Sequence, residues 1–117
     1  MQPGTYNIVI HDRTTLTIIF SLKDDQGAAL DITGYTFRAQ ANGTTDWLPG
    51  GTLDLNPTIY GDPTNGQVLI NKTVAQTDPL IPGTGTVPKW DMLMVDTQNV
   101  TTKIVAGTLT IIETQTP

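Results

Sequence analysis

Hydrophobic and polar residues alternate with a period of two along much of the chain, a pattern typical of β-strands with one buried face. The clearest example places Leu16, Ile18, Phe20 and Leu22 at every second position, between threonine, serine and lysine. Ile19 is the exception, because it is an apolar residue at an outward position. The pattern therefore predicts a strand whose inward row of four side chains fills one side of a core.

Short segments of this character recur at regular spacing, and clusters of Gly, Pro, Asn and Asp separate them. About seven strands are predicted, at residues 5–10, 14–23, 35–40, 52–55, 67–72, 89–95 and 103–112, with 58–60 as a further short pairing segment. Residues 73–78 favour at most one short helical turn. The chain is therefore predicted to be all-β, an antiparallel β-sandwich in a single domain over residues 1–117, with 113–117 as a polar C-terminal tail.

One core between two sheets should collect the inward positions of these strands. Trp90, Met92 and Met94 share one parity and indicate the buried face of their strand. The predicted core residues are Leu16, Ile18, Phe20, Leu22, Tyr35, Phe37, Leu69, Trp90, Met92 and Leu109. Gly107 interrupts the last strand, and an isolated glycine in a strand indicates a bulge that switches the register.

Composition supports the β assignment and makes several partners improbable. Threonine, which suits strand surfaces, is abundant, whereas Glu113 is the only glutamate. The chain has no Cys and one His, so no disulfide or thiolate metal site is expected. A net charge of −5 repels phosphate backbones, so no nucleic acid is expected as a partner. We see no signal peptide and no bilayer-spanning apolar run, so we expect no membrane partner and synthesis in the cytoplasm.

Candidate catalytic residues are few, and each has a simpler structural interpretation. The segment D-I-T-G at 31–34 is superficially similar to an aspartic protease loop, but an isoleucine is inserted and no second copy exists. His11, Asp12 and Arg13 are adjacent, and neighbours in a strand point to opposite faces, so they should not converge. We therefore predict no catalytic residues, no cofactor, and no enzymatic activity.

Aspartates accompany most of the predicted turns. They are Asp24, Asp25, Asp62, Asp78, Asp91 and Asp96. Loop carboxylates can ligate Ca²⁺, but the spacing of a calcium-binding ladder is absent. Aspartate is also a common turn former, and this interpretation is favoured, so no metal site is predicted, although the sequence leaves a loop Ca²⁺ open.

Two loops are longer than strand connections require, at residues 41–51 and 79–88. Long ordered loops in a compact domain often have a function. Their apolar residues are the predicted partner-binding residues: Trp47, Leu48, Leu80, Ile81 and Val87. The alternative is that both loops fold back over the open ends of the sandwich. A sugar-binding surface is a further alternative, and it requires Trp47 and Tyr60 to be exposed together.

The order of short motifs along most of the chain resembles a family of small β-sandwich structural proteins of tailed bacteriophages. The motifs are D-D-Q-G at 24–27, D-I-T-G-Y-T-F-R at 31–38, G-Q-V-L-I at 66–70, T-D-P-L-I-P-G at 77–83, W-D-M at 90–92 and G-T-L-T-I at 107–111. The chain is similar to capsid decoration or cement proteins and to the immunoglobulin-like N-terminal module of phage baseplate upper proteins. Residues 84–87 depart from the pattern as an insertion.

This resemblance implies an immunoglobulin-like fold and a structural role without a carried-over active site. The expected function is a virion structural protein that decorates or cements the capsid shell. A tail, neck or baseplate adaptor of the same virion is the alternative, and a sugar-binding sandwich in host adsorption is a further one. The implied partners are the major capsid protein or tail, neck and baseplate proteins, together with further copies of the chain, for which the analogy with the family suggests a trimer.

Overall fold

The described residues of the computed structural model, 4–43, 47–77, 80 and 86–113, fold into strands with almost no helix. The strands are β1 (Gly4–Thr5), β2 (Ile8–His11), β3 (Leu16–Ser21), β4 (Thr36–Asn42), β5 (Thr52–Asp54), β6 (Thr58–Ile59), β7 (Gln67–Lys72), β8 (Lys89–Val95) and β9 (Thr101–Ile112). A single helical turn, α1, covers Val74–Thr77, and 3-10 turns cover Pro49–Gly51 and Pro63–Asn65. Within these ranges, no helix is long and apolar enough to cross a membrane.

Two sheets pack face to face, which confirms the predicted β-sandwich. The larger sheet has the strand order β1-β9-β8-β4-β5, with β2 also paired to β9. The smaller sheet has the order β3-β7-β6. All pairs are antiparallel except β1 with β9 and β2 with β9, which are parallel. The N-terminal segment thus runs alongside the last strand before the chain crosses to the smaller sheet at β3.

The core lies between the two sheets and contains most of the predicted residues. Phe37 on β4, Trp90 and Met92 on β8, and Leu109 on β9 are buried. Leu22, which follows β3, is buried as well. The other predicted residues of β3, together with a tyrosine before β4, are partly buried and pack against this cluster; they are Leu16, Ile18, Phe20 and Tyr35.

Leu69 is a correction to the predicted core. Its neighbours Val68 and Ile70 are fully buried, so Leu69 points to the outer face of the smaller sheet. There it pairs across the ladder with Ile19 of β3. The uninterrupted apolar run 68–70 has no alternation, and therefore its sequence does not specify which parity faces the core.

The bulge in the last strand is not at Gly107. The register of β8 and β9 shifts between Met92 and Leu93, because Met92 pairs with Val105 whereas Leu93 pairs with Lys103. The glycine is required for a different reason: a Cβ atom at this position would lie 2.1 Å from the carbonyl oxygen of Tyr6. The connection from β1 to β2 therefore passes directly over Gly107.

Candidate functional site

In the loop at 41–51, of which residues 41–43 and 47–51 are described, the two predicted contact residues are buried in the sandwich. Trp47 and Leu48 have exposed fractions of 6% and 0%. The loop is closed by two backbone hydrogen bonds, from the amide of Gly51 to the carbonyl of Leu48 and from the amide of Gly43 to the carbonyl of Gly51. These two side chains belong to the protein's own core cluster, as the fold-back alternative requires, and they offer little surface to a partner.

The second loop shows the same behaviour where it is described. Leu80 is buried, with an exposed fraction of 5%, and Val87 is partly buried against the core. Ile81, the remaining predicted partner-binding residue, lies outside the described residues. Leu80 and Val87 therefore have little surface left for a partner. Apolar groups on a connecting loop can instead cover the end of a sandwich.

The proposed sugar-stacking pair is not formed. Tyr60 is exposed, at 44%, but Trp47 is buried, and stacking on a sugar requires an accessible aromatic face. The indole Nε1–H of Trp47 has no hydrogen-bond partner in the described part of the chain. The requirement of the sugar-binding alternative, two aromatic side chains exposed together, is therefore not met.

Five aspartates act as turn formers. They are Asp24, Asp62 and Asp96 of the predicted set, together with Asp31 and Asp54, whereas Asp91 lies in β8 and Asp78 lies outside the described residues. In five turns an aspartate Oδ1 accepts a hydrogen bond from the backbone amide two residues further along the chain; the donors are the amides of Gln26, Thr33, Asn56, Thr64 and Gln98. Such local bonds mimic a backbone turn and fix the loop conformation. The D-I-T-G segment is one of these turns. Among the described residues, no group of three His, Cys, Asp or Glu side chains is placed to hold a metal ion.

Two of these aspartates have perturbed acidities. The pKa of Asp31 is lowered from 3.8, chiefly because its carboxylate accepts the hydroxyl of Thr33 and also the backbone amide of that residue. The pKa of Asp62 is lowered from 3.8, chiefly by the backbone amide of Thr64 and then by its hydroxyl. Hydrogen bonds to the ionised form favour that form, so both turns are most stable with their aspartates charged.

These shifts predict a loss of stability in acid. The folded-state pKa values are lower than those of the unfolded chain, so the contribution is fully present above pH 3.8 and is lost as the pH falls below it. The double variant Asp31→Asn/Asp62→Asn should therefore lose less stability than the wild type between pH 4 and pH 2. Urea unfolding across this range measures the difference. Asp25→Asn is the control, because the Asp25 carboxylate accepts no hydrogen bond from the described residues. If Asp25→Asn reduced the loss of stability between pH 4 and pH 2 by the same amount, the prediction would be contradicted.

The His-Asp-Arg trio does not form a catalytic arrangement. His11 is exposed at the end of β2, whereas Asp12 is mostly buried. The side chains of Arg13 and Asp12 form an ion pair, with the Nε atom 3.9 Å from Oδ1. Arg13 has a positive φ of 59°, and the hydroxyl of Thr14 donates to the carbonyl of His11. The trio forms the turn that takes the chain from β2 to β3.

Lys72 is a buried basic residue at the end of β7. Its exposed fraction is 3%, and it points inward like Val68 and Ile70 on the same strand. Desolvation by burial lowers the pKa of Lys72 below 10.5, while the charge of Asp54 opposes the shift. With the amide of Asn56 in its hydrogen-bonding orientation, the Lys72 ammonium donates to the amide oxygen at 3.0 Å and the amide nitrogen donates to Asp54. Sequence analysis missed this group, since its strand alternation marked Lys72 only as polar.

The outer face of the larger sheet is charged. Arg38, Lys89 and Lys103 project from β4, β8 and β9, and Asp91 forms an ion pair with Lys103 at 3.5 Å. Two open hollows of about 430 and 530 Å³ lie on this face, and both are lined by Gln40 and Asp91. The groups of opposite sign are interspersed and solvated, which is the usual state of a charged surface.

The outward positions of β3, β6 and β7, with Tyr60 after β6, carry no charge, and we call them the neutral face. The exposed Lys23 lies two residues beyond the end of β3. The residues of the neutral face are Thr17, Ile19, Ser21, Thr58, Tyr60, Gln67, Leu69 and Asn71. Cross-strand hydrogen bonds join the side chains of Thr17 and Asn71 at 3.1 Å and those of Gln67 and Ser21 at 3.4 Å. Ile19, with an exposed fraction of 43%, lies near the middle of β3, which is the edge strand of this face. All of these residues lie outside the two predicted loops, 41–51 and 79–88.

Comparison with solved structures places this architecture among immunoglobulin-like sandwiches. A matching structure comes from work described as parallel homodimer structures of the extracellular domains of the voltage-gated sodium channel β4 subunit, which explain its role in cell–cell adhesion. It matches with a TM-score of 0.50 and 7% sequence identity, over 97% of this chain and 96% of that one. At this identity the similarity shows the fold alone. No protein-family model and no curated protein matches the sequence.

Proposed function

We propose that the chain is a non-enzymatic structural protein of a tailed-bacteriophage virion, and that it decorates or cements the capsid shell. The observation that carries the proposal is the ordered series of motifs from 24–27 to 107–111. The motifs within the described residues lie on turns and strands of one sandwich, and most of the 77–83 motif lies outside those residues. The D-D-Q-G and D-I-T-G motifs form hydrogen-bonded turns on either side of the crossing from β3 to β4. The motifs thus describe a scaffold rather than a reaction centre.

The surface of the sandwich supports the non-enzymatic part of the proposal. The described residues contain one histidine, His11, which is exposed, and its neighbours are used to form a turn. A nucleophile activated by a base is what acyl or group transfer requires. The hydroxyl–carboxylate pairs in the described ranges, Thr33 with Asp31 and Thr64 with Asp62, lie in exposed turns, and the lowered pKa of each carboxyl makes it a weak base. What the fold offers instead is a set of sheet faces and edges, which are binding elements.

A tail, neck or baseplate adaptor of the same virion remains the second candidate, because the motif series is similar to that of baseplate modules too. In either role the protein is located in the virion and is made in the host cytoplasm. Its partners are other virion proteins and copies of itself. The homodimers of the sodium channel β4 extracellular domains illustrate that a protein of this fold can associate with a second copy of itself.

Binding to particles tests the proposal directly. Purified protein is mixed with particles that lack it, the particles are sedimented, and the bound copies are counted by quantitative mass spectrometry. We expect saturable binding of hundreds of copies if the protein decorates the capsid, since a shell repeats its binding sites many times. A dozen copies or fewer would place it at the neck or baseplate. Absence from native particles, together with no binding to capsids or tails, would overturn the proposal.

A further inference from the structure

The edge of β3 is the least protected strand edge of the described structure. Among the described residues β3 pairs with β7 alone, so its other edge presents backbone N–H and C=O groups without strand partners. Its sequence, L-T-I-I-F-S, has six residues and contains no charge, proline or glycine. Proteins normally protect edge strands with such residues, with bulges or by keeping the strand short.

The other edges are protected in these ways. β5 and β6 have three and two residues, and β5 ends in Asp54. β2 has four residues and is followed directly by Asp12 and Arg13. A strand from another molecule would therefore find its longest uninterrupted template on β3.

The side chains of β3 also indicate an incomplete surface. Inward-facing Leu16, Ile18 and Phe20 are only partly buried, whereas inward-facing Val68 and Ile70 on the adjacent β7 are fully buried. The core is therefore open along the β3 edge. On the other face of the strand, Ile19 is 43% exposed. A strand added beside β3 would cover apolar groups on both faces of the sheet.

Charge indicates which molecule supplies that strand. Each copy carries a net charge of −5, so two copies repel each other wherever their charged surfaces meet. The neutral face has no charged residue, whereas the outer face of the larger sheet carries Arg38, Lys89, Lys103 and Asp91. Two copies can therefore approach through the smaller sheet without placing like charges together. The complementarity comes from the backbone, because the N–H and C=O groups of one β3 edge can pair with those of the same edge on a second copy.

We propose that two copies of the chain pair through β3, antiparallel and about a twofold axis. The two smaller sheets then form one continuous six-strand sheet with the order β6-β7-β3-β3-β7-β6. Antiparallel pairing follows because a twofold axis that relates a strand to itself reverses its direction, and the same patch is used on both molecules. This inference rests on the proposed function and deepens it, since it names one partner as a second copy and gives the surface.

The predicted contact is small. A single strand pair with its flanking side chains falls at the low end of specific interfaces, which corresponds to weak, concentration-dependent association. On a particle, each copy is also held by its other contacts, so a weak pair contact is strengthened by the high effective concentration. A threefold arrangement would require a contact between two different patches, and the β3 edge does not supply that second patch.

Sedimentation velocity from low micromolar to near-millimolar concentration tests the pairing. We expect the wild type to convert reversibly from monomer to dimer. Ile19→Lys places a charge of the same sign on each copy at the contact, so the dissociation constant should rise at least about tenfold. Val100→Lys is the matched control, because Val100 is 53% exposed in the turn between β8 and β9 and should leave dimerisation unchanged. Both variants should retain the wild-type melting temperature, since both residues are exposed.

A cross-linking measurement keeps the proposal testable if either lysine variant folds poorly. The chain has no cysteine, so Ile19→Cys introduces a single thiol. With the twofold axis beside Ile19, near the middle of β3, the two Ile19 positions face each other about 5 Å apart, so mild oxidation of the Ile19→Cys protein should yield a covalent dimer. Val100→Cys should remain monomeric under the same conditions.

Three outcomes would overturn the proposal: a wild type that stays monomeric throughout, a trimer, or a dimer that Ile19→Lys does not weaken. The particle-binding experiment is a separate measurement. A protein that dimerises through β3 but binds no particle would contradict the proposed function while leaving the pairing intact. A protein that binds particles but stays monomeric would contradict the pairing while leaving the proposed function intact.

Discussion

Replacing Trp47 with alanine is expected to lower the free energy of unfolding by about 3–5 kcal/mol, because a large buried aromatic side chain is removed and a cavity is left. Trp47 is only 6% exposed and belongs to the same core cluster as Leu48 and Leu55. Such a loss would be a large fraction of the stability of a domain this size. Urea unfolding followed by far-ultraviolet circular dichroism measures it without depending on the tryptophan that has been removed.

Tyr60→Ala is the control for Trp47→Ala. Tyr60 is also an aromatic residue outside the long strands, but it is 44% exposed, so the stability should change by no more than about 0.5 kcal/mol. A Trp47→Ala protein with wild-type stability and impaired particle binding would show that the loop is a contact surface after all. Loss of stability with normal binding of the folded fraction would establish Trp47 as a core residue.

The β-sandwich could be predicted from sequence because the alternation of apolar and polar residues along several strands indicates which face of each strand is buried. Phe37 and Ala39 alternate with Thr36, Arg38 and Gln40 along β4, and both apolar residues are buried. The short helix is another local feature: residues 73–78 favoured a helical turn, and α1 covers Val74–Thr77. A period of two or a turn residue is a local property, so these predictions required no knowledge of the partner strands.

The sequence did not indicate which side chains point to the core where hydrophobic and polar residues do not alternate. The run Val68-Leu69-Ile70 has no alternation, and only pairing with Ile19 and burial of its neighbours place Leu69 outside. Trp47 presents a related difficulty. It lies among glycine, proline and polar residues, and nothing in that segment indicates whether the loop folds over the core or away from it.

The candidate binding surface, the β3 edge with the neutral face, was harder to predict than the core, because it depends on how the strands pair. Ile19 was recognisable as an apolar residue at an outward position of its strand. The sequence did not reveal that β3 is an edge, because that depends on β1 and β2 joining β9 in the other sheet. The neutral face is assembled from three strands distant in sequence, so its lack of charge emerges only from the register.

Gly107→Ala is expected to destabilise the protein by about 3 kcal/mol, because the added methyl group would lie 2.1 Å from the carbonyl oxygen of Tyr6. The N-terminal segment must move away to make room. Three hydrogen bonds hold it there: Trp90 Nε1 donates to the Tyr6 carbonyl at 2.7 Å, the Tyr6 amide donates to Ala106 at 3.0 Å, and the Thr108 amide donates to the Asn7 side chain at 3.1 Å. At about 1 kcal/mol each, their loss accounts for the expected magnitude.

Gly4→Ala isolates the steric cause of this loss. Gly4 also lies in the contact between the N-terminal segment and β9, but a Cβ there would be 3.8 Å from the nearest atom, the carbonyl oxygen of Ile104. It should therefore change stability by no more than about 0.5 kcal/mol. Denaturant unfolding of both variants gives the comparison, and hydrogen exchange should show faster exchange of the Ile8–His11 amides in Gly107→Ala alone. A Gly107→Ala protein within 1 kcal/mol of the wild type, with β2 still protected, would mean that the segment can cross β9 without a glycine, and that parallel pairing does not depend on this close approach.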